Sequence, residues 1–111
     1  MIDIKKLKQE IIDRLKPLNP DKIILFGSYA YGMPNEDSDI DLFLLKDDLK
    51  IENIKGYKLE LQKKLFAIQK KYLLGIDLFV DSTSRMQNRI STVKDQFYTD
   101  ILTKGEIIYV K

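Results

Sequence analysis

Ile4, Leu7, Ile11, Leu15 and Leu18 recur at three- and four-residue intervals, with charged residues between them. That spacing lays one apolar stripe along an amphipathic helix, which Pro17 should end. Ile23-Ile24-Leu25-Phe26 is a short, unbroken apolar run, the pattern of a strand buried on both faces. Gly27-Ser28 follows at once, and Tyr29-Ala30-Tyr31-Gly32 has room for a single helical turn. A loop is marked by Gly32-Met33-Pro34-Asn35. Asp39 to Leu45 alternates and reads as a second strand, with Ile40, Leu42 and Leu44 on one face and Asp39 and Asp41 on the other.

A long helical stripe follows through Ile54, Tyr57, Leu61, Leu65, Ile68 and Tyr72, with Gly75 at the expected C-cap. Its many lysines read as a solvated face. Ile76-Asp77-Leu78-Phe79-Val80 reads as a third strand. Ser82, Thr83 or Ser84 can cap a short helix. Val93, Phe97 and Ile101 share a helical register that Gly105 ends, and Ile107 to Val110 suits a last short strand or an extended tail. This order predicts an α/β (α+β) fold with a small mixed sheet and helices on it. At 111 residues, the chain reads as a single domain over residues 1–111.

Composition narrows the chemistry. There is no histidine and no cysteine. A Ser-His-Asp triad, a thiolate nucleophile and a His- or Cys-bound metal are therefore excluded. What remains is carboxylates, hydroxyls, lysines and hard oxygen-bound cations such as Mg²⁺. Nineteen Lys and Arg against seventeen Asp and Glu leave a formal charge of +2. That near balance gives no nucleic-acid or membrane footprint. Without a signal-peptide core or a membrane-length apolar run, the cytoplasm is the expected location.

Aspartate is depleted in strands, and burying an unpaired carboxylate is costly. Yet Asp39, Asp41 and Asp77 all sit in or beside apolar strands. An Asp-x-Asp pair on a strand holds two carboxylates on one rigid face, about 7 Å apart. A third from a neighbouring strand could complete an oxygen cage, whose self-repulsion a cation would relieve. Two Mg²⁺ ions in such a cage can clamp a phosphoryl transfer. The plainer alternative is that each is a solvated strand-end residue.

Gly27-Ser28 after a strand and before a helical turn is a ready phosphate site, because backbone N–H groups and the helix dipole both favour an anion. Taken alone, it is equally an ordinary turn with Ser28 as N-cap. The spacing adds weight, since Gly-Ser and Asp-x-Asp are separated only by Tyr29 to Ser38. Those four fixed positions recur by chance on the order of once per thousand chains of this size.

Gly27-Ser28-Tyr29-Ala30-Tyr31-Gly32 followed by Ser38-Asp39-Ile40-Asp41-Leu42 resembles the signature of the polymerase-beta-type nucleotidyltransferase superfamily, and the short length resembles its minimal nucleotidyltransferases. Asp77 extends the match to residue 80. The resemblance implies that Gly27, Ser28 and Ser38 bind the nucleotide triphosphate. It implies that Asp39, Asp41 and Asp77 are catalytic and hold two Mg²⁺ ions, with Asp77 nearest the accepting hydroxyl. It implies transfer of AMP from ATP to a hydroxyl, with pyrophosphate leaving. Small members of the family are often antitoxins that modify a tyrosine of a partner HEPN-type toxin, so a hetero-oligomer is implied. The sequence departs from many relatives in carrying Tyr29 and Tyr31 where they have an arginine. Tyr31 reads as structural. Arg85 and Arg89, four residues apart, could present one basic face near the site. Two rival functions remain open: an antitoxin that neutralises its partner by docking alone, and nucleotide transfer to a small molecule.

Overall fold

A computed structural model describes residues 2–30, 32, 34 and 38–111. Tyr31 and, in the expected loop, Met33 and Asn35 lie outside the described residues.

The first helix, α1 (Ile4–Leu15), starts where the Asp3 carboxylate accepts the Lys6 N–H at 3.2 Å. Pro17 falls in a 3₁₀ turn over Lys16–Leu18, closed by Asn19 in the left-handed region, a conformation that asparagine tolerates well. Strand β1 (Lys22–Phe26) runs into a second 3₁₀ turn at Gly27–Tyr29. The helical turn thus begins two residues earlier than its sequence suggests. Then come β2 (Ile40–Leu45), the long helix α2 (Ile51–Tyr72), β3 (Ile76–Asp81), α3 (Thr83–Asn88), a π-helical turn at Arg89–Val93, α4 (Gln96–Lys104) and β4 (Glu106–Val110).

The four strands form one mixed sheet in the order β3-β2-β1-β4. β1 pairs antiparallel with β2 and β4, whereas β2 and β3 are parallel and joined through α2. A parallel pair needs such a crossover. Because β2 is central, helices cover both of its faces. Ile40, Leu42 and Leu44 are buried with Leu7, Ile11 and Leu15 of α1 and Leu61, Leu65 and Ile68 of α2. Phe43 and Leu45, on the opposite face, are buried with Met86 of α3 and Ile101 of α4. Each fully buried side chain of this size contributes about 1.5–3 kcal/mol. The two layers therefore hold the central strand from both sides.

Two expected boundaries move. α2 ends at Leu73, which takes the left-handed conformation at φ 54°, so Gly75 is not its cap. Gly75 instead lies where its carbonyl accepts the Ile40 N–H at 2.9 Å, tight against the start of β2. The last helix starts at Gln96 rather than Val93. Lys94 breaks the backbone at φ 55° and Asp95 caps the new start. Gly105 ends α4 as expected, and Ile107 to Val110 is a true edge strand.

Asp81, at the end of β3, is only 3% exposed. Its carboxylate accepts the Ser82 N–H at 2.8 Å, the Arg85 Nε–H at 2.8 Å and the Tyr98 hydroxyl at 2.7 Å. Burial, and then this bond to Asp81, push the Tyr98 phenol up to about 12. One buried carboxylate thus ties β3 to α3 and α4. Asp81→Ala is expected to cost about 2–3 kcal/mol, because it strands the donors aimed at it. Urea unfolding of the variant measures this, and a loss below about 1 kcal/mol would show the network to be solvated.

Candidate active site

β1 ends at Phe26, and the chain must turn at once into the Gly27–Tyr29 turn. Gly27 makes this possible with a φ of +72°, in the left-handed region that favours glycine. The turn closes with the Ala30 N–H donating to the Gly27 carbonyl at 3.0 Å. Ser28 is half-buried in the turn, and Tyr29 is packed against the α1/α2 core. Tyr29 therefore serves packing here.

The carboxylates come from β2 and β3. Asp41 is the register partner of Phe26 on one side and of Asp77 on the other. Phe26, Asp41 and Asp77 thus make one row across the sheet face that α3 and α4 cover. Asp39 stands one step before β2 and is exposed, with Ser38 half-buried beside it. The structure therefore brings together all three predicted aspartates with Gly27, and places Ser28 and Ser38 at the adjoining chain ends.

Two glycines set the fit. A Cβ built on Gly27 would stand within contact distance of the Asp41 carboxylate, 3.1 Å from its Cγ. A Cβ built on Gly75 would lie 2.9 Å from the Asp39 Cγ. Both positions leave a carboxylate no room beside a larger residue. Gly75 is the site residue that sequence reading placed in the wrong role. Its signal was its position one residue before the third strand, which bears Asp77.

The electrostatics are those of crowded like charges. Burial raises the Asp41 carboxyl above its ordinary value, and the neighbouring charges of Asp77 and Asp39 and a hydrogen bond with Asp77 raise it further. A cation is what would relieve this strain. With oxygen donors alone, the cluster fits a hard ion such as Mg²⁺ rather than a softer metal. Among the described residues, no three acidic side chains are arranged so that they could hold a metal ion together.

Arg85 and Arg89, which could have presented one basic face, are each paired with a carboxylate. Arg85 is bound to Asp81 at 2.8 Å and Arg89 to Asp95 at 2.9 Å. Among the described residues, no helix is long and apolar enough to cross a membrane.

Comparison with known proteins shows the family of the chain. Residues 4–98 match the nucleotidyltransferase domain family. The chain is 33% identical over 106 residues to MJ0604, a candidate protein adenylyltransferase of Methanocaldococcus jannaschii, covering 96% of this chain and 90% of that one. Its fold is similar to a toxin-antitoxin crystal structure determined with AMP-PNP, at TM-score 0.57 and 25% identity over 94% of this chain and 73% of the other. It is also similar in fold to a candidate nucleotidyltransferase of Sulfolobus solfataricus, at TM-score 0.63 and 13% identity over 97% and 84% of the two chains. With the match running from α1 into α4 and through every carboxylate of the cluster, this chain belongs to the nucleotidyltransferase family of enzymes.

Proposed function

We propose that this enzyme transfers AMP from ATP to a hydroxyl, a tyrosine, on a partner toxin of the HEPN type, and so acts as an antitoxin. The observation that carries the reading is the row of Asp41 and Asp77 in register beside Gly27, with Asp39 next to it. The similarity to a candidate protein adenylyltransferase and to a toxin-antitoxin structure supports the acceptor and the biological role. Residues 1–111 act as one nucleotidyltransferase domain, and the need for ATP fits a cytoplasmic setting.

The residues divide the work as follows. Backbone N–H groups of the Gly27–Tyr29 turn and the Ser28 hydroxyl bind the β- and γ-phosphates, with Ser38 alongside. Asp39, Asp41 and Asp77 would supply the oxygen donors for two Mg²⁺ ions. Bound there, Mg²⁺ would supply the Lewis acid that offsets charge on the α-phosphate. Asp77, on the outer strand, faces the acceptor and takes its proton. The acceptor oxygen forms a bond to the α-phosphorus, the bond from that phosphorus to the pyrophosphate oxygen breaks, and pyrophosphate leaves with the electron pair.

The reading is tested with α-labelled ATP, Mg²⁺ and the protein encoded by the adjacent gene. Label is expected on the partner with wild type, and neither Asp39→Asn nor Asp41→Asn should transfer it. A partner neutralised equally well by both variants, with no label transferred by any of them, would overturn it in favour of docking alone.

A further inference from the structure

Directly along the sheet from the carboxylate row lies a second row on the same face: Ile24, Phe43 and Phe79. Phe97 of α4 closes over it. The rings of Phe26, Phe43, Phe79 and Phe97 form a continuous cluster with centroids 5.3–6.4 Å apart. Inside a core, all four would be covered. Phe43 is, at 1% exposed, but Phe79 and Phe97 remain 39% and 42% exposed. These two touch each other at 5.3 Å, so their free faces make one aromatic patch.

The place of the patch suggests its occupant. Phe79 follows Asp77 by two residues on β3, about 7 Å along the same face. β3 is an edge strand, so its outer side is open to an approaching chain. The turn expected to hold the phosphates follows β1, on the far side of Asp41 from β3. Phe79 and that turn thus lie on opposite sides of Asp41 across the sheet, and Phe97 spans from Phe79 to Phe26. An acceptor reaching Asp77 from the β3 side passes over Phe79 and Phe97.

We propose that the exposed faces of Phe79 and Phe97 seat a flat aromatic ring that carries the accepting hydroxyl. Stacked or edge-on ring pairs are favourable beyond simple burial, so the patch selects a phenol over an aliphatic hydroxyl. With its ring on Phe79, a phenol points its para oxygen towards Asp77. This rests on the adenylyl-transfer reading for its purpose, but the ring site can be measured without turnover.

The probes are N-acetyl-tyrosinamide, N-acetyl-serinamide and ATP, titrated separately into the wild-type chain and followed by NMR. N-acetyl-tyrosinamide is expected to shift the Phe79 and Phe97 ring signals, the serine compound to leave them in place, and ATP to shift the Gly27 and Ser28 amides instead. Phe79→Leu and Phe97→Leu, which keep apolar bulk without a flat face, should each weaken tyrosinamide binding about threefold to tenfold with ATP binding unchanged. Phe79→Tyr should restore it. Ring signals that follow ATP assign the patch to the nucleobase and overturn the proposal. Signals that respond to neither ligand reduce the patch to packing and overturn it too. If tyrosinamide binds as expected but wild type labels no partner, the ring site stands and the transfer reading alone falls.

Discussion

Asp41→Asn is expected to melt at a higher temperature than wild type while losing about a thousandfold or more in transfer rate. The gain follows from the crowding around the carboxylate. Asp41 is desolvated by burial and faces the charges of Asp77 and Asp39, which together raise its pKa above the ordinary 3.8. A raised folded-state pKa means that the folded chain binds this proton more tightly than the unfolded chain does. The ionised group therefore destabilises the fold at neutral pH. That penalty is relieved as pH falls through the raised value, and it is gone below about 3.8. Asparagine removes it at every pH. Because Asp41 is only partly buried, solvent screens much of this repulsion, and the expected gain is below about 1 kcal/mol, at most roughly 4 °C for a chain of this size. The loss of rate is expected because asparagine removes an anionic oxygen donor from the cluster proposed to hold Mg²⁺, a bound metal supplies several kcal/mol of transition-state stabilisation, and each 1.4 kcal/mol is about tenfold.

Two measurements separate the causes. Without divalent cations, the stability gap between variant and wild type should narrow as the pH falls through the raised value and close below about 3.8. Adding Mg²⁺ should raise the melting point of wild type and leave that of Asp41→Asn nearly unmoved. At a hundred times its dissociation constant, a ligand bound only by the folded state adds about 2.7 kcal/mol. A variant less stable than wild type at pH 7 would show that Asp41 is structurally paired rather than strained.

Gly75→Ala is expected to cost about a hundredfold in activity with little change in stability. An added Cβ would lie 2.9 Å from the Asp39 Cγ. Its nearest neighbours are the far end of a flexible, exposed side chain, so the carboxylate swings away and the backbone stays. Displacement of about 1 Å is enough to lose about a hundredfold in a reaction that depends on alignment. Gly75 carries no positive φ, which makes alanine tolerable to the chain itself. Gly27 differs, because its φ of +72° adds backbone strain to the crowding of Asp41. The Gly75 variant is therefore the cleaner probe. Unchanged melting with unchanged transfer would mean that Asp39 does not act from the position it holds here.

Much of the site was legible before folding. A carboxylate inside an apolar strand is conspicuous because burial penalises it, and Asp41 and Asp77 stood out for that reason. The Gly-Ser turn was legible through its spacing from Asp39. Gly75 was not, because a glycine after a long helical stripe also suits a C-cap, and only the approach of Asp39 decides between the two roles. The left-handed Leu73 that ends α2 carries no local signal, since leucine rarely takes that conformation. Arg85 and Arg89 share a helical register, but each turned to a carboxylate that register cannot reveal.

The sequence by itself determined the elements and the kind of chemistry. Apolar period specifies which face each strand and helix buries. The lack of histidine and cysteine leaves oxygen donors to do the work. Tertiary structure alone decided that β2 and β3 pair in parallel with Asp41 opposite Asp77, and that Phe26 completes the row from β1. It alone gathered four phenylalanines from β1, β2, β3 and α4 next to that row and left two of them open. The physical reason is range. Periodicity acts over one or two turns of chain. The repulsion between two carboxylates and the contact between two rings depend on distances that exist only once distant strands are registered.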